Sequence, residues 1–274
     1  MSTIPLWTRG RTEATGRPAD VVLIAFHRGA LADDVPLAAA RFGLPGREHA
    51  ALCDVRSFTG AEGVAWLDGF RQGALRGIAA RDLGEAGLAR LDAADGCVTV
   101  RATVLDPFDL GYLQAAWGLA RWLCARGASV VADARATRFF TSAEVAAVAP
   151  DAPFDVRREL SVIAETQPTP GLGGHVVHTR GLLKLARPDL VTVVAREDLD
   201  AATAALWRLA ARAADGYMPA SGDRADVDTE APLLLTLAPA GSFVEALALD
   251  NDAMLVAGAD GTAPTWPSGA TRAN

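Results

Sequence analysis

Lysine is nearly absent from this chain. Lys184 is the one lysine in 274 residues, and arginine carries the remaining positive charge against a net charge of −7. An acidic chain without a concentrated basic face lacks the electrostatic footprint of a nucleic-acid binder. Cysteine is scarce as well. Cys53, Cys97 and Cys124 stand far apart with no Cys-x-x-Cys pair, which argues against a zinc ribbon or disulfide framework and for buried thiols in a reducing compartment. No apolar run approaches the ~18 residues of a membrane span. Residues 1–18 carry Arg9, Arg11 and Arg17 but no apolar stretch of a secretory signal. The expected location is cytoplasmic, with no membrane and no nucleic acid as partner. Gly-x-Ser-x-Gly, His-Glu-x-x-His and Walker patterns are also missing, so no motif specifies a chemistry. No cofactor and no metal is expected.

Half of the residues are hydrophobic, which excludes a disordered chain, and the length suffices for one large domain or two fused halves. The organising stretch is Cys97 to Asp133. Val98, Val100, Ala102 and Val104 alternate with Thr99, Arg101 and Thr103, the period of a half-buried strand. Asp106-Pro107 predicts a capped helix start, with Asp109 adding negative charge at the positive end of the dipole. Leu110, Leu113, Trp117, Ala120 and Cys124 form one stripe, with Arg121 and Arg126 outside it, and Gly127 ends the helix. A second strand follows over 128–132. Such a crossover makes the two strands parallel, so Asp106 and Asp133 fall at one sheet edge. A charge placed at Trp117 is expected to unfold the domain.

Val21 to Phe26 reads as a strand covered on both faces. Residues 28–60 read as irregular, with a short helix at 37–42, and 61–81 reads as a helix despite Gly69, Gly73 and Gly77, which permit either close approach to another element or a break. Thr141 or Ser142 caps a short helix, and 156–164 reads as another. His175–Thr179 and Leu190–Ala195 read as strands, and Asp198 as the cap of a helix carrying Leu199, Ala202, Leu206, Leu209 and Ala213. Further strands are expected at 233–237, 243–249 and 253–257, the last two joined as a hairpin by Asp250-Asn251-Asp252. The fold class is α+β: a mixed β-sheet covered by helices, with a pseudo-duplicated, ferredoxin-like split βαβ character in which 97–133 is echoed by 190–237. The boundaries are a loose lead-in at 1–18, a globular region at 19–258, and a flexible tail at 259–274. Within that region, halves at 19–138 and 171–258 flank a connector at 139–170.

Three features carry candidate chemistry. His175 and His178 lie three apart, which on a strand points them to opposite faces and prevents one metal from taking both. The glycine-rich run 170–174 precedes a strand and so lacks the helix N-terminus of a phosphate loop. Asp106 and Asp133, at one sheet edge, have the chemistry of an acid–base or metal pair, although capping and strand termination already account for them.

The stretch His178-Thr179-Arg180-Gly181-Leu182, followed by Arg187-Pro188-Asp189-Leu190 and an amphipathic helix, resembles a pattern of uncharacterised bacterial proteins. These form a domain family of unknown function, and the resemblance spans about residues 97–216. It implies an architecture and no activity, and ranks His178, Thr179, Arg180 and Gly181 as binding candidates. The resulting expectation is a non-catalytic binding or interaction domain for a small molecule or protein. The alternative is a small hydrolase using His178 with Asp106 or Asp133.

Overall fold

The computed structural model describes residues 4–10, 15–165, 167–168, 173–225, 233–237, 245 and 247–257. Parts of the lead-in, Gly171 and Leu172, the 226–231 part of the loop after α8, the start of the strand expected at 243–249 and the tail from 258 lie outside the described residues. The chain divides into two compact units: residues 4–9 with 16–155, and residues 10 and 15 with 156–257. Both are α+β, one built on an antiparallel sheet and the other on a mixed one.

The first unit contains β1 (Pro18–His27), α1 (Ala39–Phe42), α2 (Arg47–Ala50), β2 (Cys53–Phe58), α3 (Gly60–Arg71), α4 (Gly73–Asp92), β3 (Gly96–Leu105), α5 (Gly111–Ala125), β4 (Val130–Asp133), β5 (Arg138–Thr141) and α6 (Ser142–Ala147). Its sheet runs in the order β2-β3-β1-β4-β5, each neighbour antiparallel to the next. β3 and β4 are therefore parallel, as the crossover predicts, but β1 lies between them. This is the split βαβ arrangement.

Alternation decides what each face of this sheet covers. Ile24, Phe26, Cys97, Val130, Ala132 and Phe139 pack with Leu67, Leu83 and Leu91 of α3 and α4. Each such large side chain, fully buried, contributes about 1.5–3 kcal/mol. The opposite face carries Leu23, Ala25 and His27 with their partners Val100, Val98 and Gly96, and α5 packs on β1 and β3 there.

α5 is buried on nearly every side, Arg121 included, whose Nε donates to the Phe42 carbonyl at 2.8 Å. It begins at Gly111 rather than Pro107. Asp106 has a φ of 45° and its carboxylate accepts from Gly16 N at 2.8 Å. Asp109 instead accepts from Gly111 N at 2.8 Å. The helix expected over 61–81 is two: Gln72, extended at φ −124° and ψ 165°, separates α3 from α4, which runs on to Asp92 with a kink at Gly84. β2 and β5, read from sequence as irregular and connecting chain, are strands at the two edges of the sheet.

The second unit contains α7 (Val156–Glu159), β6 (Ser161–Ala164), β7 (His175–Arg180), β8 (Asp189–Val194), α8 (Leu199–Ala214), β9 (Asp223–Ala225), β10 (Leu233–Leu237) and β11 (Ala253–Ala257). Single 3-10 turns occupy Leu182–Leu185 and Arg196–Asp198. The sheet order is β6-β7-β8-β11-β10-β9, mixed because β8 and β11 are parallel. α8 packs on β6, β7 and β8, burying Ala202, Leu206, Leu209 and Ala213 as the stripe predicts.

Three expectations are corrected here. Residues 156–164 form one helical turn and then a strand. Asp198 makes no side-chain cap bond to α8. Residues 247–249 are a turn and its exit, and among the described residues no hairpin joins them to β11. The Asn251 amide donates to the Arg187 carbonyl and to Asp189 Oδ2, both at 2.8 Å, binding the 250–252 turn to the start of β8. The echo of the first unit holds in outline. The expected order over 190–237 recurs as β8, α8 and β10, but β10 runs antiparallel to β8 with β11 between them, whereas β3 and β4 are parallel.

Candidate functional site

A cleft of about 730 Å³ opens on the α5 side of the first unit's sheet. β2 lies at the edge of that sheet, beyond the main cover of α5, so Val55, Ser57, Val98 and His27 form a floor left partly uncovered. Trp122, Leu123 and Arg126, from the last turns of α5, make one wall. Gly29 to Asp33 after β1 make another, and Thr59, Gly60 and Val64 close the end. The lining is mostly apolar with a few polar groups, the composition of a small-molecule site.

His27 ends the apolar run of β1 and is 5% exposed. Its Nδ1 lies 2.8 Å from the Gly29 carbonyl, so that nitrogen is the donor, and in the neutral ring Nε2 is the acceptor. The ring sits against Gly96 on the paired strand: a Cβ there would lie 2.6 Å from Cε1 and 2.9 Å from Nε2. Only glycine at position 96 leaves the imidazole its place. Asp95 accepts from Gly29 N through Oδ1 at 2.8 Å, holding the 29–33 segment over the cleft. Arg126 caps the wall. It stacks on Trp122 at 4.6 Å, donates to Ala32 O and pairs with Asp33 at 2.7 Å. Trp122 Nε1 is fixed on Val35 O at 2.9 Å. The cleft is thus framed by groups that already hold one another, with the Ser57 and Thr59 hydroxyls exposed along it.

The residues ranked from sequence lie elsewhere. Asp133, fully buried, accepts from the amides of Arg135 and Ala136 at 3.1 and 3.0 Å, a turn-closing role. Leu105 pairs with Pro18 and Asp133 with Leu23. The two strand ends are therefore offset by about 17 Å along β1, and the structure does not bring Asp106 and Asp133 together.

His178, Thr179, Arg180 and Gly181 belong to the second unit. β7 is a strand, as the valines predict, with both histidines buried. His178 Nδ1 lies 3.3 Å from Thr179 O, and Nε2 lies 3.5 Å from Glu165 Oε1. Burial, then the charge of Arg180, holds its pKa below the ordinary value, only partly offset by Thr179 O and Glu165. Thr179 donates to Asp189 Oδ1 and accepts from Leu190 N, both at 2.8 Å. Arg180 donates to the Leu247 and Ala248 carbonyls at 2.7 and 3.2 Å. Gly181 turns the chain at φ 103°, a conformation that favours glycine. Nearby, Glu159 and Lys184 form a salt bridge at 2.8 Å with both side chains fully buried, and Arg158 adds a contact to Glu159 at 3.0 Å. These residues tie strands and turns together.

Burial lifts the thiols of Cys53 and Cys97 to about 11 and that of Cys124 to about 12, so none is a thiolate nucleophile near neutral pH. No cluster of three or more His, Cys, Asp or Glu with metal-binding geometry occurs among the described residues. Sequence reading missed His27, Asp95 and the whole of β2. The signals were a histidine closing an unbroken apolar strand, an Asp-Gly pair opening its neighbour, and the two-residue alternation of Cys53 and Val55 with Asp54 and Arg56. No helix among the described residues is long and apolar enough to cross a membrane. Comparison with protein-family models, with curated proteins and with solved structures gives no match.

Proposed function

We propose that this is a binding protein without catalytic activity, whose first unit takes a small molecule in the His27 cleft. The observation that carries this reading is an apolar cleft of about 730 Å³ with a nearly buried imidazole at its floor. With Nδ1 committed to Gly29 O, Nε2 is an acceptor, and the Asp95 carboxylate is a second. The complementary ligand has an apolar body and a hydrogen-bond-donating head, an alcohol or an amine. The framing groups are spent on one another, which suits holding a ligand more than transferring a proton. The hydrolase alternative draws no support from His178, whose imidazole is taken up by Glu165 and Thr179 O within the second unit.

The test is a thermal-shift screen with apolar amines and alcohols, each hit followed by Trp122 emission. Val64→Arg fills the cleft from a position 44% exposed, and so leaves the fold intact. The expected result is hits that Val64→Arg and His27→Ala abolish. Hits that bind both variants as tightly as the wild type overturn the assignment.

A further inference from the structure

The exposed edge of β2 is complementary to itself. Among the described residues this strand has a neighbour on one side only, β3, and such an edge is a template for another strand. Here it carries four exposed residues in a row, Asp54 to Ser57. Leu52 is 45% exposed, Val55 43% and Trp66 39%, a concentration of apolar surface around one short edge. Asp54 and Arg56 pair within the strand at 2.7 Å and are more than half exposed.

We infer that a second copy of this chain pairs antiparallel along β2, two-fold symmetric about Val55. The register follows from charge and shape. With Val55 opposite Val55 of the second copy, Asp54 stands opposite Arg56 of that copy and Arg56 opposite its Asp54. Together with the pairs inside each strand, this makes a closed square of alternating charge. Opposite charges directly across an antiparallel pair are stabilising and like charges destabilising. Moving the two-fold axis by one residue, a register change of two, puts Asp54 against Asp54 or Arg56 against Arg56. In the Val55 register, Leu52 meets Phe58 of the other copy, which is stacked on Trp66 at 4.9 Å, so an apolar contact closes each end of the charged square. The interface is isologous, as a two-fold requires. It joins the two five-stranded sheets into one, with both His27 clefts on the same side, and does not depend on what those clefts hold.

Sedimentation equilibrium of the full chain tests this. The wild type is expected to give twice the chain mass. Asp54→Arg and Arg56→Asp each place like charges across the two-fold and are expected to weaken self-association on the order of tenfold or more. Mixing the two variants restores opposite charges and is expected to recover a heterodimer as tight as the wild-type dimer. Both positions are solvent-facing, and circular dichroism checks that each variant keeps its fold. A monomeric wild type overturns the proposal by itself, even if a variant misfolds. A dimer unaffected by either variant, or folded variants that fail to associate when mixed, overturns it too.

Discussion

Asp189 shows how a side chain gains a property that its neighbours in sequence do not announce. It sits inside the second unit, accepting from Thr179 and from Asn251. Burial outweighs those bonds, and with the nearby charge of Asp250 it lifts the carboxyl to about 7 from an ordinary 3.8. The folded chain therefore holds this proton more tightly than the unfolded chain does. The associated stability is complete below about pH 4 and is lost as pH rises through about 7, at up to about 1.4 kcal/mol per pH unit. Asp189→Asn removes the titration. Thermal melts from about pH 5 to about pH 8 are expected to show a smaller fall in Tm for the variant, and equal slopes would refute the assignment. The sequence exposed the motif around Thr179 but ranked it as a binding feature. Its partners Asp189 and Asn251 are long-range or across a turn, and with Thr179 and Asp189 exposed by no more than 1%, burial turns a polar motif into an internal tie. His27 was hidden for the opposite reason: its value lies in a nearly enclosed ring nitrogen and a glycine on the next strand, and neither is a pattern along the chain.

At the scale of elements, legibility followed local signal strength. Apolar runs and stripes identified β1, β3, α5 and α8. β2, β5 and β6, four to six residues long, hold no more than three consecutive apolar residues each. The start of α5 moved because two aspartates competed for one role, and Asp106 was claimed by Gly16. At α6 the local chemistry was sufficient. Thr141 Oγ1 accepts from Glu144 N at 3.2 Å, and Glu144 Oε2 accepts from Thr141 N at 2.7 Å, a reciprocal capping box. Thr141→Ala is expected to cost about 1 kcal/mol in denaturant unfolding of the first unit, through a lower midpoint at unchanged m-value. Ser142→Ala, one residue inside the helix, is expected to cost less than half of that. Equal effects would show that the cap is not Thr141.

For the molecule as a whole, the sequence supplied the layers and not their weave. Fold class and the parallel sense of β3 and β4 followed from periodicity. The insertion of β1 between them did not, because it is a pairing between segments some seventy or more residues apart, and the hydrophobic pattern is the same whichever strand lies between. The mixed sheet of the second unit was harder still, since Asn251 and Asp189, not a hairpin turn, position β11. One further consequence belongs to this scale. The chain's sole ε-amino group is sealed in contact with Glu159, so acylating reagents and conjugating enzymes that act on lysine find no target on the folded surface. Lys184 thereby serves as a built-in reporter. Its modification by an N-hydroxysuccinimide ester, followed by peptide mass spectrometry, is expected to be negligible in native buffer and to rise in step with denaturant as the second unit opens. Rapid labelling of the native chain would mean that this ion pair is not closed in solution.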